Sequence, residues 1–291
     1  MRKSLITTAV LGALAAPSLV FAADAAPAPD WTISSNVGVF SQYIFRGLTQ
    51  TDRKPALQGG FDISHSSGFY AGVWASNISW LTDASPQYYS SSSIETDIYG
   101  GFKTELAKSG VTLDIGILQY YYPGTRAKQN YSSFANTTEL YGALNYGWVQ
   151  GKISGTVSRD AWTVGKQSPS HEDARGTFYA ELNATIPVGD LIGKDAGVLS
   201  GVSLLAHVGR QEFNGDKKIY FSNTLSNNDY SYTDYKFGVQ KSFADGMLNG
   251  INIGTFASYA DFEDKSLWDT RNGNKRNLGE STATVFVQRT F

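Results

Sequence analysis

The sequence predicts an all-β protein, a single antiparallel transmembrane β-barrel of about twelve strands behind an N-terminal signal peptide. Three observations carry that expectation. Apolar and polar residues alternate with a period of two nearly everywhere beyond Asp30, as half-buried strands require. The connections between these runs are short and long in turn. Large aromatic rings collect at both ends of the apolar faces, with aliphatic residues between them, the distribution that lipid–water interfaces favour. The composition agrees. Of 291 residues, 41 % are hydrophobic and 17 % charged, with 30 Gly, 17 Tyr, 16 Phe and no Cys. Without Cys there is no disulfide framework, thiolate metal site or Cys nucleophile. A formal net charge of −2 offers no basic footprint for nucleic acid, and the low charge argues against disorder and helical bundles.

The chain starts with an export signal. Arg2 and Lys3 precede an apolar run over residues 5–20, and Val20-Phe21-Ala22 suits cleavage after Ala22. Its removal takes away two bases and no acid, leaving a net charge of −4. Residues 23–30 are rich in Ala and Pro and read as a flexible lead-in, and 31–291 as one barrel domain. No long apolar run follows the signal, so any crossing of a membrane must use strands.

Twelve amphipathic runs follow. The first sets Ile33, Val37, Val39, Tyr43 and Phe45 against Thr32, Ser34, Asn36, Gln42 and Arg46. The next four set Leu57, Phe61 and Ile63 against Gln58 and Asp62; Phe69, Ala71 and Val73 against Tyr70 and Trp74; Ile94, Ile98 and Phe102 against Glu95, Asp97 and Lys103; and Val111, Leu113, Ile115 and Ile117 against Asp114. The second half repeats the pattern. Leu140 and Leu144 oppose Glu139, Val149 and Ile153 oppose Lys152, and Phe178 and Leu182 oppose Glu181. Val202, Leu204 and Val208 oppose His207, with Leu205 breaking the alternation. Tyr235, Phe237 and Val239 oppose Lys236 and Gln240, Ile251 and Ile253 oppose Asn252, and Val285, Val287 and Phe291 oppose Thr284 and Gln288.

Tight turns at Ser66-Ser67-Gly68, 107–110 and Gly147 alternate with long polar segments at 77–93, 123–136, 160–176, 211–231 and 261–279. Asn214-Gly215 and Asn272-Gly273 mark loop tips. Short inner turns and long outer loops are the habit of outer-membrane barrels; the segment 187–201 departs from it by being long. With the first run directed outward, Tyr43, Phe45, Tyr121, Phe178, Tyr235 and Tyr259 form an outer girdle, and Trp31, Phe69, Phe102, Tyr146, Phe243 and Phe291 an inner one. Arg289 has lipid-facing parity and is tolerable by snorkelling at the inner interface.

The segments Ser41-Gln42-Tyr43-Ile44-Phe45-Arg46-Gly47, Pro55-Ala56-Leu57-Gln58-Gly59-Gly60-Phe61-Asp62 and Gly68-Phe69-Tyr70-Ala71-Gly72-Val73-Trp74-Ala75-Ser76-Asn77, extended by Glu95-Thr96-Asp97-Ile98-Tyr99-Gly100, resemble the TorF family of porins. The likeness covers residues 31–103. It implies a modest outer-membrane barrel.

By parity the interior holds Gln42, Arg46, Gln58, Asp62, Trp74, Glu95, Asp97, Lys103, Asp114, Glu139, Lys152, Glu181, Lys236 and Glu280, seven acids against four bases. One reading is a water-filled pore whose charges tune passage; the other is a lumen plugged by paired charges. Arg46, Gln42, Gln58, Asp62 and Trp74 lie on three consecutive runs, so they form either a constriction with a flat ring for a solute or a network that fixes the wall. His65-Ser66-Ser67 has the His-x-Ser spacing of outer-membrane lipases, but it sits in an inner turn without a third partner. His171 and His207 belong to no ligand cluster. The acidic tips Asn227-Asn228-Asp229 and Asp261-Phe262-Glu263-Asp264 are suited to divalent cations near headgroups or to solvent alone.

The expectation is an outer-membrane porin-like channel for ions and small hydrophilic solutes, with a weak cation preference; the alternatives are a plugged structural or surface-binding barrel and, third, a lipid-acting enzyme. No enzyme activity and no cofactor is expected. The expected partners are outer-membrane lipid and lipopolysaccharide, the barrel assembly machinery acting through the strand that ends at Phe291, and small hydrophilic solutes. Intact-mass measurement of the exported protein should place Ala23 at its N-terminus, and retention of residues 1–22 would contradict the signal assignment.

Overall fold

The period-two runs become twelve strands. They are β1 (Trp31–Phe40), β2 (Ala56–His65), β3 (Phe69–Asn77), β4 (Ile94–Glu105), β5 (Val111–Tyr121), β6 (Thr137–Tyr146), β7 (Val149–Thr156), β8 (Phe178–Pro187), β9 (Val202–Glu212), β10 (Tyr232–Ser242), β11 (Ile251–Phe262) and β12 (Thr282–Thr290). The computed structural model describes residues 29–83, 88–127, 134–165, 173–192, 197–215, 226–269 and 277–291. The signal peptide, residues 23–28 of the lead-in, His171 and the Asn272-Gly273 tip lie outside these residues.

Every strand pairs antiparallel with its neighbours in the chain, and β1 also pairs with β12 from Asn36 opposite Thr290 to Phe40 opposite Phe286. The sheet is therefore a closed barrel. Strand lengths run from 8 to 12 residues, close to the roughly 10 needed by a tilted strand to cross a bilayer. The turns 66–68, 106–110 and 147–148 leave one rim. The long segment 187–201 joins the same rim through a one-turn helix, Val188–Ile192, and a short turn at Gly197–Leu199.

The two faces differ as the alternation requires. Leu57 at 61 %, Ile153 at 60 % and Phe237 at 65 % exposure are typical of the outward aliphatic band. Trp31, Phe69, Tyr146 and Phe291 stand exposed toward the inner rim, and Tyr121, Phe178, Tyr235 and Tyr259 toward the outer one. Arg289 points outward at the inner rim with its guanidinium 5.0 Å over the Phe291 ring.

Inside, glycines make room for rings. Tyr99 lies opposite Gly72, Phe286 opposite Gly254, Tyr70 opposite Gly101 and Trp74 opposite Gly60 across strand pairs. A Cβ added at Gly72 would come within 2.5 Å of the Tyr99 ring and 2.6 Å of Asp62 Oδ1. Each ring thus covers the bare backbone of its neighbour, the aromatic rescue of glycine known from sheets. Tyr99 also donates from its hydroxyl to Asp62 Oδ1 at 2.5 Å. Leu205, which broke the alternation, is buried with these interior side chains.

Two expected placements are corrected. Tyr43 and Phe45 were expected in the outer girdle, but β1 stops at Phe40. Ser41 anchors to Val285 through its amide at 2.9 Å and its hydroxyl at 3.0 Å, and the chain then turns into the lumen, where Tyr43 is buried. Glu280 does not face the interior. It stands 52 % exposed, paired with Arg53 at 2.9 Å.

Substituting Gly72→Ala should destabilise the folded barrel by about 1–3 kcal/mol through overpacking, and a second change, Tyr99→Leu, should recover most of that loss. Independent, additive effects in a double-mutant cycle of unfolding in urea would contradict the ring-over-glycine account.

Candidate functional site

Residues 41–55 join β1 to β2 at the outer rim and fold inward. Ile44–Phe45 pairs with Leu48–Thr49, Ile44 opposite Thr49 and Phe45 opposite Leu48. The tip is Arg46-Gly47, with φ of +45° and +78°. Positive φ at both central residues is the requirement of the tight type I′ hairpin. Gly47 serves it without strain, whereas Arg46 costs some strain that its contacts must offset.

Those contacts reach across the lumen. Arg46 Nη2 donates to Glu139 Oε2 at 2.7 Å and Nη1 to Glu139 Oε1 at 3.1 Å, a bidentate pair with β6. Nη1 also donates to Gln211 Oε1 on β9 at 2.8 Å. The guanidinium lies 4.2 Å from the Tyr179 ring centre, 5.0 Å from Trp162 and 4.9 Å from Phe45, close enough for attraction between cation and ring. Arg46 and Glu139 side chains are 7 % and 1 % exposed. Burial pushes Arg46 down, but the charge and hydrogen bonds of Glu139 together with the nearby Tyr120 and Tyr179 hold the guanidinium above its ordinary range.

A second hairpin meets the first. Asp160–Ala161 pairs with Val164–Gly165, and the tip Trp162-Thr163 also has positive φ, +44° and +74°. A β-branched or bulky residue there is strained. From this tip the Trp162 ring meets Arg46, Phe45 and Tyr120. Leu48 packs in a buried cluster with Phe213, Tyr232 and Ala260.

Most residues expected to line the interior are held in this network or beside it. The Tyr43 hydroxyl donates to Glu95 Oε1 at 2.5 Å, and its ring lies edge-on to Trp74 at 5.5 Å, so Trp74 is covered rather than offered to a solute. Gln42 donates to Thr282 Oγ1 at 2.8 Å. Asp114 accepts from Tyr70 at 2.5 Å, faces Lys103 at 3.8 Å, and Tyr70 in turn meets the Tyr141 hydroxyl. Lys152 lies over the Tyr141 ring at 4.6 Å and Lys236 over Phe256 at 5.2 Å. Gln58 is half-buried on the inward face of β2. Asp97 is fully buried.

The sequence reading missed Asp234, although it shares the parity of Lys236 on β10. Asp234 is 1 % exposed and accepts from Tyr179 at 2.8 Å beside His207 Nε2 at 2.9 Å. His207 Nδ1 lies 2.6 Å from Asn183 Oδ1 and 3.7 Å from Glu181 Oε2. Glu181 accepts from Asn183 at 2.8 Å. Away from this network, His65 Nδ1 and Ser67 Oγ are 2.7 Å apart in the exposed inner turn. The ring packs on Trp31 at 4.6 Å, and no carboxylate bonds to it among the described residues.

The model of a bacterial protein family of unknown function, Gcw_chp, matches residues 24–291. No curated protein matches the chain. Among solved structures, the KdgM porin aligns over 89 % of this chain and 99 % of its own at 8 % identity, with a TM-score of 0.46. OccAB3 of Acinetobacter baumannii aligns over 90 % and 65 % at 9 % identity and 0.46, and the outer membrane protein OprD of Pseudomonas aeruginosa over 89 % and 64 % at 11 % identity and 0.36.

In Arg46→Met, Glu139 loses its cationic partner inside the barrel and keeps, among the described residues, only the Tyr120 hydroxyl at 3.2 Å, a change that costs several kcal/mol for a buried pair. The amides of Thr49 and Gln50, bonded to Leu278 and Tyr43 at 3.0 and 2.8 Å, should then exchange hydrogen at least about tenfold faster while β-strand amides hold. Equal protection in parent and variant would show that Arg46 does not seat the hairpin.

Proposed function

The chain belongs to the Gcw_chp family of bacterial proteins of unknown function, and we propose that it is an outer-membrane channel of the porin kind for ions and small hydrophilic solutes. One observation carries this reading, the opposition of the two faces of a closed barrel. The outer face exposes a belt of Val, Ile, Leu and Phe between aromatic rims. A contiguous apolar belt of that extent is not compatible with water and is matched to hydrocarbon. The inner face carries Asp62, Glu95, Asp97, Asp114, Glu139, Glu181 and Asp234 with Arg46, Lys103, Lys152 and Lys236, a charge density that makes sense for a route used by polar solutes. The resemblance of residues 31–103 to TorF porins supports the same reading.

Export with cleavage after Ala22, contact of the outer rim with lipopolysaccharide, and delivery through the barrel assembly machinery by the strand ending at Phe291 complete the proposal. The inserted hairpin favours a second reading, a barrel plugged for a structural or surface-binding role. In the conformation described, Asp97, Glu95 and Glu139 are 0–1 % exposed, so solvent does not reach these acids. For these acids to line a water-filled route, the hairpin has to move.

Reconstitution decides between the two. Proteoliposomes carrying the folded protein should swell in small sugars or amino acids at a rate that rises when residues 42–53 are replaced by a short Gly-Ser link. Impermeability of both proteins would support the structural barrel and contradict the channel.

A further inference from the structure

Acids on three separate strands meet one short segment. Tyr43 donates to Glu95 on β4, Arg46 pairs with Glu139 on β6, and Gly47 packs against Asp234 on β10 so closely that a Cβ would sit 2.5 Å from the Asp234 Cβ. A fourth acid lies beside them without a partner. Asp97 is 0 % exposed, and neither carboxylate oxygen has a hydrogen-bond partner among the described residues. It shares the inner face of β4 with Glu95, two positions away. A buried carboxylate with no donor is costly, and the cation that the segment brings, Arg46, is committed to Glu139.

The segment forms a two-stranded sheet of its own, separate from the barrel sheet. Its ladder bonds are internal, between Ile44–Phe45 and Leu48–Thr49, and Gln50 closes it on Tyr43 at 2.8 Å; withdrawal must also break the bond from Thr49 N–H to Leu278 O at 3.0 Å and those from Gln42 to Thr282 and Ala283. Withdrawal would break no pairing between barrel strands. Ile44 and Leu48 are buried in the interior, so the seated state dominates and openings are rare. We propose that residues 42–49 are a movable plug whose withdrawal uncovers a cation-binding belt of Glu95, Asp97, Glu139 and Asp234, making the open lumen a passage for small cations and cationic solutes. This inference rests on the channel reading. Arg46 leaves with the plug, so opening removes a base from an interior already rich in acids, and cations accumulate in the narrow bore.

Planar-bilayer recordings across a KCl gradient test it, with heat-modifiable gel migration certifying the fold of each variant. Glu139→Gln should raise the open probability at least about tenfold, since a bidentate buried pair is lost. The open state should favour cations, and Asp97→Asn, which leaves the plug contacts intact, should lower the cation-to-anion permeability ratio about twofold or more. Should Glu139→Gln fail to fold, the protein with residues 42–53 replaced by a Gly-Ser link serves as the open form, with and without Asp97→Asn. An unchanged open probability in folded Glu139→Gln overturns the plug. An open state that prefers anions, or a reversal potential unmoved by Asp97→Asn, overturns the belt. Silence of every variant, the replaced segment included, overturns the channel reading itself.

Discussion

A sheet in hydrocarbon has no solvent to satisfy its edges, so the first and last strands must find each other. The pairing of β1 with β12, from Asn36 opposite Thr290 to Phe40 opposite Phe286, meets that constraint, and the rest of the molecule follows from it. Once the sheet closes, alternate residues are sorted onto a lipid face and an interior, and the interior becomes a bounded volume. Whatever enters that volume must satisfy buried polar groups on every wall.

Two devices fill it. Rings of Tyr70, Trp74, Tyr99 and Phe286 lie across glycines of adjacent strands, which lays these large side chains against the wall around the centre. Into that centre the hairpin at 44–49 carries a guanidinium, and the outer half closes around it. The Arg46–Glu139 pair is worth far less as net stability than its Coulomb energy suggests, because both groups were desolvated to form it. Its value is positional. Losing either partner leaves a buried charge, so the pair holds the hairpin in one place.

The barrel was legible because period two, turn residues and ring positions all pointed to the same answer. Strand number, direction and lipid face can be read from residues such as Leu57, Ile153 and Phe237, each of which stands exposed. The interior was legible only as a list of inward residues. Parity continued along Tyr43 and Phe45 assumes that the strand goes on, and nothing in the alternation marks the point at which Ser41 ends it. The Arg46-Gly47 dipeptide is a weak turn signal beside Asn-Gly. Which acid meets Arg46 depends on how far the hairpin reaches, and Glu139 lies on a strand distant in sequence. Glu280 was misplaced for a related reason: its parity was counted as if β12 began before Thr282.

The position of the hairpin inside the barrel is the claim on which the lumen account stands. The native chain has no Cys, so an introduced pair reports without background. Leu48 and Ala260 share one buried cluster, and an ideal Cβ at the adjacent Gly47 lies 3.2 Å from the Ala260 Cβ. In folded protein carrying Leu48→Cys and Ala260→Cys, mild oxidation should join the two segments in high yield, and peptide mapping should recover residue 48 linked to residue 260. Absence of that link, with residue 48 labelled from outside by a membrane-impermeant maleimide as fast as a free loop, would contradict the account.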